Sequence, residues 1–205
     1  MQVTPLTPER LVDEVVGLVD ARSGRVRVGV DGPRPTRPVE LARRAAEALA
    51  ALGRAAVVVD AGDFLRPASV RLEYGREDPD ELLDGWLDVA GLRREVLEPA
   101  ARDGSGRVLP RLWDAGADRA YRDRYVQLPD DGVVLLAGGL LLGRGLPLDA
   151  AVHLRMGEAA LRRGLPPELL WTVPAHGRYA RENDPEGTAD LVVLADHPDR
   201  PAVRR

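Results

Sequence analysis

Residues 25–41, RVRVGVDGPRPTRPVEL, constrain the fold of this chain more than any other segment. The alternating valines between Val26 and Val30 predict a buried β-strand that ends at Asp31. Pro38 suits the first position of a helix, and the apolar residues after it recur at helical spacing. The segment therefore predicts a strand, a short loop and a helix, which together form a common unit of α/β proteins.

The loop of this unit lies where a phosphate-binding loop would lie but lacks its side chains. The pattern G-x-x-x-x-G-K-[ST] holds phosphates through backbone N–H groups and a lysine, and Mg²⁺ through a hydroxyl. With Gly32 as the first glycine, the second glycine, the lysine and the hydroxyl fall on Arg37, Pro38 and Val39. Three prolines in this loop also remove backbone donors. Arg34 and Arg37 remain as guanidinium groups that can bind an anion.

The composition excludes several classes of function and of site. All 29 basic residues are arginine, so no lysine elsewhere can replace the missing one, and the formal charge of −4 predicts no nucleic-acid binding. A chain of 205 residues fits a single domain, 1–205, and no apolar run reaches the length of about 18 residues that a membrane span needs. Residues 1–9 lack the features of a signal peptide, so we expect a cytoplasmic protein. The absence of cysteine excludes disulfides and thiolate metal sites.

The rest of the chain alternates strands with helices, which predicts an α/β fold with a mostly parallel sheet wrapped by helices. Thr7 and Pro8 start a first helix within residues 1–24. Further strands are predicted at 55–60, 133–137, 150–154 and 190–194, and further helices at 89–101, 157–163 and 167–181. Two extended segments joined by a turn predict a β-hairpin at 107–128, and the tail, 198–205, is predicted to fray.

Carboxylates follow the first two strands of the predicted sheet. Asp31 ends one strand, Asp60 ends the next, and Asp63 comes three residues later. Ligands of open parallel sheets bind beyond the carboxyl ends of the strands, so these three side chains are expected to share a cleft. Residues 65–88, which are dense in charges and turn formers, predict an excursion on the substrate side of that cleft.

Several segments, taken in order, resemble the uridine kinase-like branch of the P-loop nucleoside kinases over about residues 25–195. The matching segments are VGVDGP, VVVDAGDFLRP, DGWLD with LRREVLEP, RVLPRLWD, VVLLAGGLLL, AVHLR with Leu161-Arg162-Arg163, and RYARENDPEGTADLVV. The resemblance implies a five-stranded parallel sheet wrapped by helices, a β-hairpin beside the nucleoside at 107–128, and a short arginine-bearing lid near Arg162.

The resemblance also implies site residues, several of which this sequence lacks. The family aspartate that takes the proton from the sugar hydroxyl falls on Gly62, although Asp60 or Asp63 can supply a displaced carboxylate. The acidic residue that helps to organise the metal falls on Ala137. The residues that keep the family's type are Asp63, Phe64, Arg66, Arg71, Asp84, Trp113, Arg162 and Arg163.

These losses predict a uridine kinase-like protein that no longer transfers phosphate, a pseudokinase. ATP and Mg²⁺ are expected to bind poorly and no cofactor is predicted, because phosphoryl transfer depends on the missing lysine, metal ligands and base. We expect the protein to bind a nucleoside-like or other small polar ligand, or a partner protein. Assembly into a homo-oligomer is left as an open alternative. The ligand is predicted to bind between residues 60–71 and the hairpin, where the retained residues cluster.

Two alternatives stay open. The first is a weak or divergent nucleoside phosphotransferase that uses arginines and a displaced aspartate. The second is a kinase fold reused for a different reaction on a small metabolite, with Asp60, Asp63, Arg66 and His176 as the candidate catalytic residues.

The three histidines do not have the spacing of metal ligands, so no metal site is predicted. His153 lies in an apolar strand and is interpreted as a core residue with its hydrogen bonds satisfied. His176 lies in a polar, aromatic segment near the expected cleft, which makes it the histidine to test as an acid or a base.

Overall fold

The computed structural model describes residues 2–204, which form an α/β fold. The strands are β1 Val3–Pro5, β2 Val26–Asp31, β3 Ala56–Asp60, β4 Arg107–Val108, β5 Trp113–Asp114, β6 Arg119–Ala120, β7 Val126–Gln127, β8 Val133–Gly138, β9 Ala150–Arg155, β10 Leu191–Leu194 and β11 Ala202–Arg204. The α-helices are α1 Pro8–Asp20, α2 Pro38–Ala51, α3 Ala68–Arg71, α4 Pro79–Asp84, α5 Val89–Leu92, α6 Glu158–Gly164, α7 Val173–Glu182 and α8 Pro185–Thr188.

The central sheet has the strand order β1-β11-β10-β9-β2-β8-β3. The five neighbouring strands from β10 to β3 are all parallel, because each connection between them crosses over and returns the chain to the same end of the sheet. The predicted α/β class and the predicted parallel five-stranded core are therefore confirmed. The whole sheet is larger and mixed, with seven strands.

Strand β2 lies at the centre of the parallel core, between β8 and β9. Parallel strands are covered on both faces, and their sequences are accordingly apolar almost throughout. Val133, Val134, Leu135, Leu136 and Ala137 of β8 have no exposed surface at all. This burial fixes the position of the strand ends, from which the loops of the site emerge.

Different parts of the chain cover the two faces of the sheet. Helices α1 and α2 bury their apolar sides on one face, against the even-numbered residues of β2 and the odd-numbered residues of β8. The segment around α5 and the ends of the hairpin bury Phe64, Leu92 and Leu128 on the other face, against Val134 and Leu136. Thr7 accepts a hydrogen bond from the Arg10 N–H and caps α1 as its sequence predicts.

Two short antiparallel strands extend the sheet at one edge, and neither was expected from the sequence. β11 pairs with β10, and β1 pairs with β11. The prediction of a frayed tail at 198–205 is therefore wrong for residues 202–204, which form β11 with Val203 buried, and residue 205 lies outside the described residues. Strands of three residues carry too little alternation to be recognised without their partners.

The predicted hairpin is present as two stacked antiparallel pairs. β4 pairs with β7 at its base, and β5 pairs with β6 near its tip. The helix predicted at 89–101 is shorter, since α5 passes into a π-helical turn at Arg93–Leu97. The helix predicted at 167–181 begins with a 3₁₀ turn at Pro167–Thr172, and α7 follows. Within residues 2–204, no helix is long and apolar enough to cross a membrane.

Candidate functional site

The carboxyl ends of β2, β8 and β9 meet at one point of the sheet. Asp31, the last residue of β2, lies in register with Gly138 of β8 on one side and with His153 of β9 on the other. The loop after β2 starts here, and two cavities open on its two sides. Gly32 and Leu140 line both of them.

The backbone donors of the loop after β2 are mostly used within the protein. The Gly32 N–H donates to the Gly138 carbonyl at 2.9 Å, and the Thr36 and Arg37 N–H groups donate to Pro33 and Arg34 at 2.8 and 3.1 Å, as a 3₁₀ turn. Three further positions of the segment 32–39 are prolines without an N–H. At most two backbone donors, those of residues 34 and 39, are left for a ligand.

Gly32 packs too closely on its neighbours for any side chain. A Cβ atom there would lie 2.6 Å from Thr36 Oγ1 and 2.7 Å from the Cβ of Leu154 in β9. Thr36 is itself buried, and its hydroxyl donates to the Pro33 carbonyl at 2.7 Å. The loop therefore packs closely onto the sheet, with the Thr36 hydroxyl and the Pro33 carbonyl bonded to each other.

The larger of the two cavities, the arginine cleft, measures about 900 Å³. It lies between the segment 32–43, which contains the loop and the start of α2, and the segments 60–65, 82–87 and 138–144. Its charged lining residues are Arg34, Arg37, Glu40, Arg43, Asp60 and Arg144. Four guanidinium groups thus face two carboxylates across an open cavity.

Several of these guanidinium groups lack an acidic partner. Arg37 pairs with Asp199 at 2.9 Å, whereas Arg34 and Arg43 form no salt bridge with any described residue. Arg144 is half-buried and contacts only the carbonyls of residues 140 and 84, both at 3.4 Å. Burial lowers the pKa of Arg144, nearby Asp84 and Tyr179 oppose this effect, and the cation of Arg66 adds to it. Unpaired and partly desolvated cations of this kind favour an anionic ligand.

Trp86 forms another part of the cleft wall. Its ring packs at 5.6 Å from the ring of Trp171, and the Arg71 guanidinium lies 5.1 Å from its centroid. Its indole Nε1 is buried and has no hydrogen-bond partner in the described part of the chain. Trp86 is therefore a packing residue that also brings an unpaired buried donor to the cleft wall.

The smaller cavity, the histidine chamber, lies beyond Gly32 and measures about 210 Å³. Asp31, His153, His176 and Tyr179 line it together with residues of α6, α7 and α8. The Asp31 carboxylate is fully buried and accepts hydrogen bonds from the Leu141 N–H at 2.9 Å and the Tyr179 hydroxyl at 3.0 Å. Its second oxygen also lies 2.7 Å from Nδ1 of His153.

The titration of the chamber residues follows from their burial. Burial lowers the pKa of His176 to about 4, with a smaller contribution from His153 and an opposing one from Asp31. Burial and the Asp31 charge together raise the pKa of Tyr179. His176 is therefore neutral at physiological pH, and Tyr179 keeps its proton and donates a hydrogen bond to Asp31.

The three carboxylates expected to share one cleft are separated. Asp60 lines the arginine cleft, where its Oδ1 accepts the Gly62 N–H at 2.8 Å. Asp63 turns to the hairpin, where it accepts the Tyr121 hydroxyl at 3.0 Å, and burial raises its pKa. Asp31 belongs to the histidine chamber. Of the predicted catalytic residues, Asp60 and His176 thus line different cavities and Asp63 lines neither.

The segment 60–71 and the hairpin touch each other directly, where the sequence predicted a ligand between them. Trp113 forms a β-bridge with Phe64 and donates from Nε1 to Asp118 at 3.2 Å. Arg71 is buried and donates to the carbonyls of residues 66 and 115 at 2.6 and 3.3 Å. Arg71 and Trp113 therefore tie the excursion to the hairpin, and no hairpin residue lines the arginine cleft.

The remaining predicted binding residues lie at several places. Asp84 is exposed and pairs with Arg178 at 2.7 Å. Arg162 pairs with Glu158 one turn earlier in α6, at 2.9 Å. Arg163 lines a third cavity of about 560 Å³, which also contains Arg34 and Arg37 and lies between the loop and the chain after β10. Arg66 forms no ion pair with a described residue, and its charge is close to Arg144.

Three residues of the two cavities were not singled out as site residues from the sequence. Arg43 follows Val39 by four positions in α2, and this helical spacing could have placed it beside the loop. Arg144 comes from an irregular segment that gave no signal. His153 was interpreted as a satisfied core residue, which its buried bond to Asp31 supports, but it also lines the chamber. No group of three or more acidic or histidine residues in the described chain is placed to hold a metal ion.

Comparisons with solved structures define the class of this fold. A "possible uridine kinase" from Bacillus stearothermophilus matches with a TM-score of 0.73 and 21% identity, covering 90% of this chain and 97% of that one. A "putative fructose transport system kinase" from Silicibacter sp. TM1040 matches with a TM-score of 0.62 and 24% identity, over 89% and 92%. The protein YGR205w matches with a TM-score of 0.64 and 11% identity, over 95% and 98%.

The chain therefore has the fold of the P-loop kinases, and the resemblance inferred from its sequence is confirmed at the level of the fold. No protein-family model matches the sequence, and no curated protein matches it either.

Proposed function

We propose that this protein binds a small anionic metabolite, phosphorylated or carboxylated, in the arginine cleft and does not transfer phosphate from ATP. The observation that carries the proposal is the group of guanidiniums in the cleft without acidic partners. Arg34, Arg43 and Arg144 form no salt bridge with a described residue, and all three line the same cavity. Planar guanidinium groups bind carboxylates and phosphates through paired hydrogen bonds.

The geometry of the loop supports the second half of the proposal. A phosphate-binding loop offers a run of free backbone N–H groups, a lysine and a hydroxyl for Mg²⁺. Here the N–H groups of Gly32, Thr36 and Arg37 donate hydrogen bonds to carbonyl groups of the protein itself. Pro38 and Val39 occupy the positions of the lysine and of the residue with the hydroxyl. Phosphoryl transfer consists almost entirely of positioning and charge stabilisation, so these losses remove most of its machinery.

A second candidate is a divergent phosphotransferase, which one observation favours. Asp60 lies in the same cleft as the unpaired arginines, so a base and an anion-binding group share one cavity. In this alternative Asp60 accepts the proton of a substrate hydroxyl, and the arginines stabilise the charge of the transferred group.

Isothermal titration of inorganic pyrophosphate in a metal-free buffer tests the proposal. We expect saturable binding without Mg²⁺, because arginines and not a metal supply the positive charge. Arg144→Ala should weaken this binding by about 10- to 150-fold, since a hydrogen bond to a charged group contributes about 1.5–3 kcal/mol.

Arg119→Ala is the matched control, because Arg119 is exposed at the tip of the hairpin and its removal changes the net charge equally. The control should bind pyrophosphate like the parent. Equal losses in both variants would indicate a general charge effect, and the absence of metal-free binding would overturn the proposal.

A further inference from the structure

The histidine chamber is a second cavity with a chemistry of its own, and its binding capacity does not depend on the proposed function of the cleft. It lies between the end of β9, the start of α6, helix α7 and α8. Its volume of about 210 Å³ corresponds to about seven water-sized groups, at about 30 Å³ each. It is therefore large enough for a small organic molecule and too small for a nucleotide.

The hydrogen-bonding groups of the chamber fall into two sets. The Asp31 carboxylate and the Tyr179 hydroxyl are satisfied within the protein, since Tyr179 donates to Asp31 and accepts the Leu142 N–H at 2.7 Å. His153 uses Nδ1 toward Asp31, which leaves Nε2 as its free nitrogen. His176 has no hydrogen-bond partner among residues 2–204. The groups of this set that remain free to form hydrogen bonds with a ligand are therefore the two imidazoles of His153 and His176.

The two imidazoles present acceptor nitrogens to a ligand. When His153 is neutral and donates from Nδ1 to the carboxylate, its Nε2 is unprotonated and accepts a hydrogen bond. A neutral His176 has one acceptor nitrogen as well. A ligand that pairs with these two acceptors consequently has to bring hydrogen-bond donors, while the other nitrogen of His176 is left as a donor.

The charge of Asp31 specifies what kind of donor the ligand should be. The carboxylate has no exposed surface, and the basic group that contacts it in the described chain is the His153 ring at 2.7 Å, which carries a charge only when it is protonated. The carboxylates at the edge of the chamber differ in this respect, because Glu158 pairs with Arg162 and Glu186 pairs with Arg155 and Arg204. Buried charges are normally paired, and beside a neutral His153 a cation inside the chamber would balance the charge at Asp31.

We infer that the histidine chamber is a binding site for a small organic ammonium compound, held by Nε2 of His153 and the ring of His176 and balanced electrostatically by Asp31. The apolar side chains of Leu140, Leu161 and Val173 line the rest of the cavity and suit a short carbon skeleton. The arginine cleft selects the opposite charge on the other side of Gly32.

Nuclear magnetic resonance of the histidine rings tests this inference, because the chain has only three histidines. Ethanolamine is the probe, titrated at neutral pH and constant ionic strength. We expect saturable shifts of the ring signals of His153 and His176 and no shift of His197, which lines the third cavity. Ethylene glycol, which has the same skeleton with a hydroxyl in place of the ammonium, should cause no saturable shift.

Two variants make the test independent of the signal assignments. His176→Leu should weaken ethanolamine binding at least tenfold, and His197→Leu should leave it unchanged. Three results would overturn the inference: ring shifts equal for all three histidines, equal binding of ethylene glycol, or unchanged binding in a folded His176→Leu protein. Should His176→Leu fail to fold, the comparison of ethanolamine with ethylene glycol on the parent protein still decides the question.

Discussion

The arginine cleft and the histidine chamber share Gly32 and Leu140 as part of their walls and differ in almost everything else. The cleft is wide, and three of its four guanidinium groups, those of Arg34, Arg43 and Arg144, have no acidic partner among the described residues. The chamber is small, and its carboxylate is buried in a network that joins β2, β9, α7 and the chain after β8. The comparison teaches that the carboxylate nearest the loop, Asp31, is built into the fold, whereas the binding that we propose for the cleft depends on guanidinium groups without an ion pair to a described residue.

The chamber network also positions part of the cleft. The Leu141 and Leu142 N–H groups bond to Asp31 and Tyr179, and Leu140 has a left-handed backbone with φ of 62°. Non-glycine residues adopt this conformation at a cost, which the two hydrogen bonds after it help to offset. The same segment carries Arg144 into the cleft, so the buried side of the site supports the exposed side.

The largest expected difference between the two regions concerns their aspartates. Asp31→Ala should lower the free energy of unfolding by about 3–5 kcal/mol, because it leaves three buried donors, those of His153 Nδ1, the Tyr179 hydroxyl and the Leu141 N–H, without their acceptor. Asp60→Ala removes only the cap of a short turn and should cost about 1 kcal/mol. Urea denaturation of both variants measures the difference. Equal losses would contradict the assignment of Asp31 to the fold and of Asp60 to the cleft.

The pH dependence of stability should reveal the lowered pKa of His176 in the histidine chamber. The pKa of His176 is about 4 in the folded state, against an ordinary value of 6.5, so between these values the unfolded chain binds the proton and the folded chain does not. Stability should therefore fall as the pH drops from about 6.5 to about 4, by a total of about 3 kcal/mol from this residue. His176→Gln should remove this part of the dependence, and His197→Gln should retain it. Parallel pH profiles for the parent and His176→Gln would contradict the claim that the folded protein lowers the pKa of His176.

Two arginines near the cleft should separate structure from binding. Arg71→Ala should destabilise the protein by about 2 kcal/mol, because its guanidinium bonds to two buried carbonyls and stacks on Trp86, and should leave pyrophosphate affinity unchanged. Arg66→Ala should have the opposite profile, with weaker pyrophosphate binding and a change in stability under about 1 kcal/mol. Chemical denaturation and titration of both variants provide the comparison. Loss of stability without loss of binding in Arg66→Ala would assign this residue to the scaffold.

The smallest effect is expected at the segment that the sequence identified as a lid. Arg162 is exposed and pairs with Glu158 one helical turn earlier, at 2.9 Å. Such pairs contribute about 0.3–0.5 kcal/mol, so Arg162→Ala should change stability by no more than that and pyrophosphate affinity not measurably. Thermal unfolding and titration check both values. A tenfold loss of affinity would show that α6 reaches the arginine cleft when a ligand is bound.

The fold was largely predictable because its strongest signals are local. The valines of β2, Pro38 at the start of α2 and the apolar run of β8 each specify their element without help from the rest of the chain. β1 and β11 were missed because three-residue strands acquire meaning only through their partners. The π-helical turn after α5 likewise depends on packing and has no signature in the sequence.

The candidate site was predictable only in part, because its residues come together through tertiary packing. Arg34, Arg37 and Asp60 were expected near a ligand, and they line the cleft. Asp63, Arg71 and Trp113 were expected there too, but they form the contact between the excursion and the hairpin, since a sequence does not reveal which way a side chain leaves an irregular segment. Arg144 lies outside any motif, and the bond between Asp31 and His153 joins residues more than 100 positions apart.

Transfer of labelled phosphate from ATP tests the proposed loss of kinase activity most directly. Purified protein is incubated with γ-labelled ATP, Mg²⁺ and uridine, and labelled uridine phosphate is measured beside a sample of the Asp60→Ala variant. We predict that neither sample forms labelled uridine phosphate. The reason is that the loop after β2 offers no lysine, no side-chain hydroxyl for Mg²⁺ and at most two free backbone donors. Transfer by the parent that Asp60→Ala abolishes would contradict this prediction and establish a divergent phosphotransferase that works through Asp60 and the arginines.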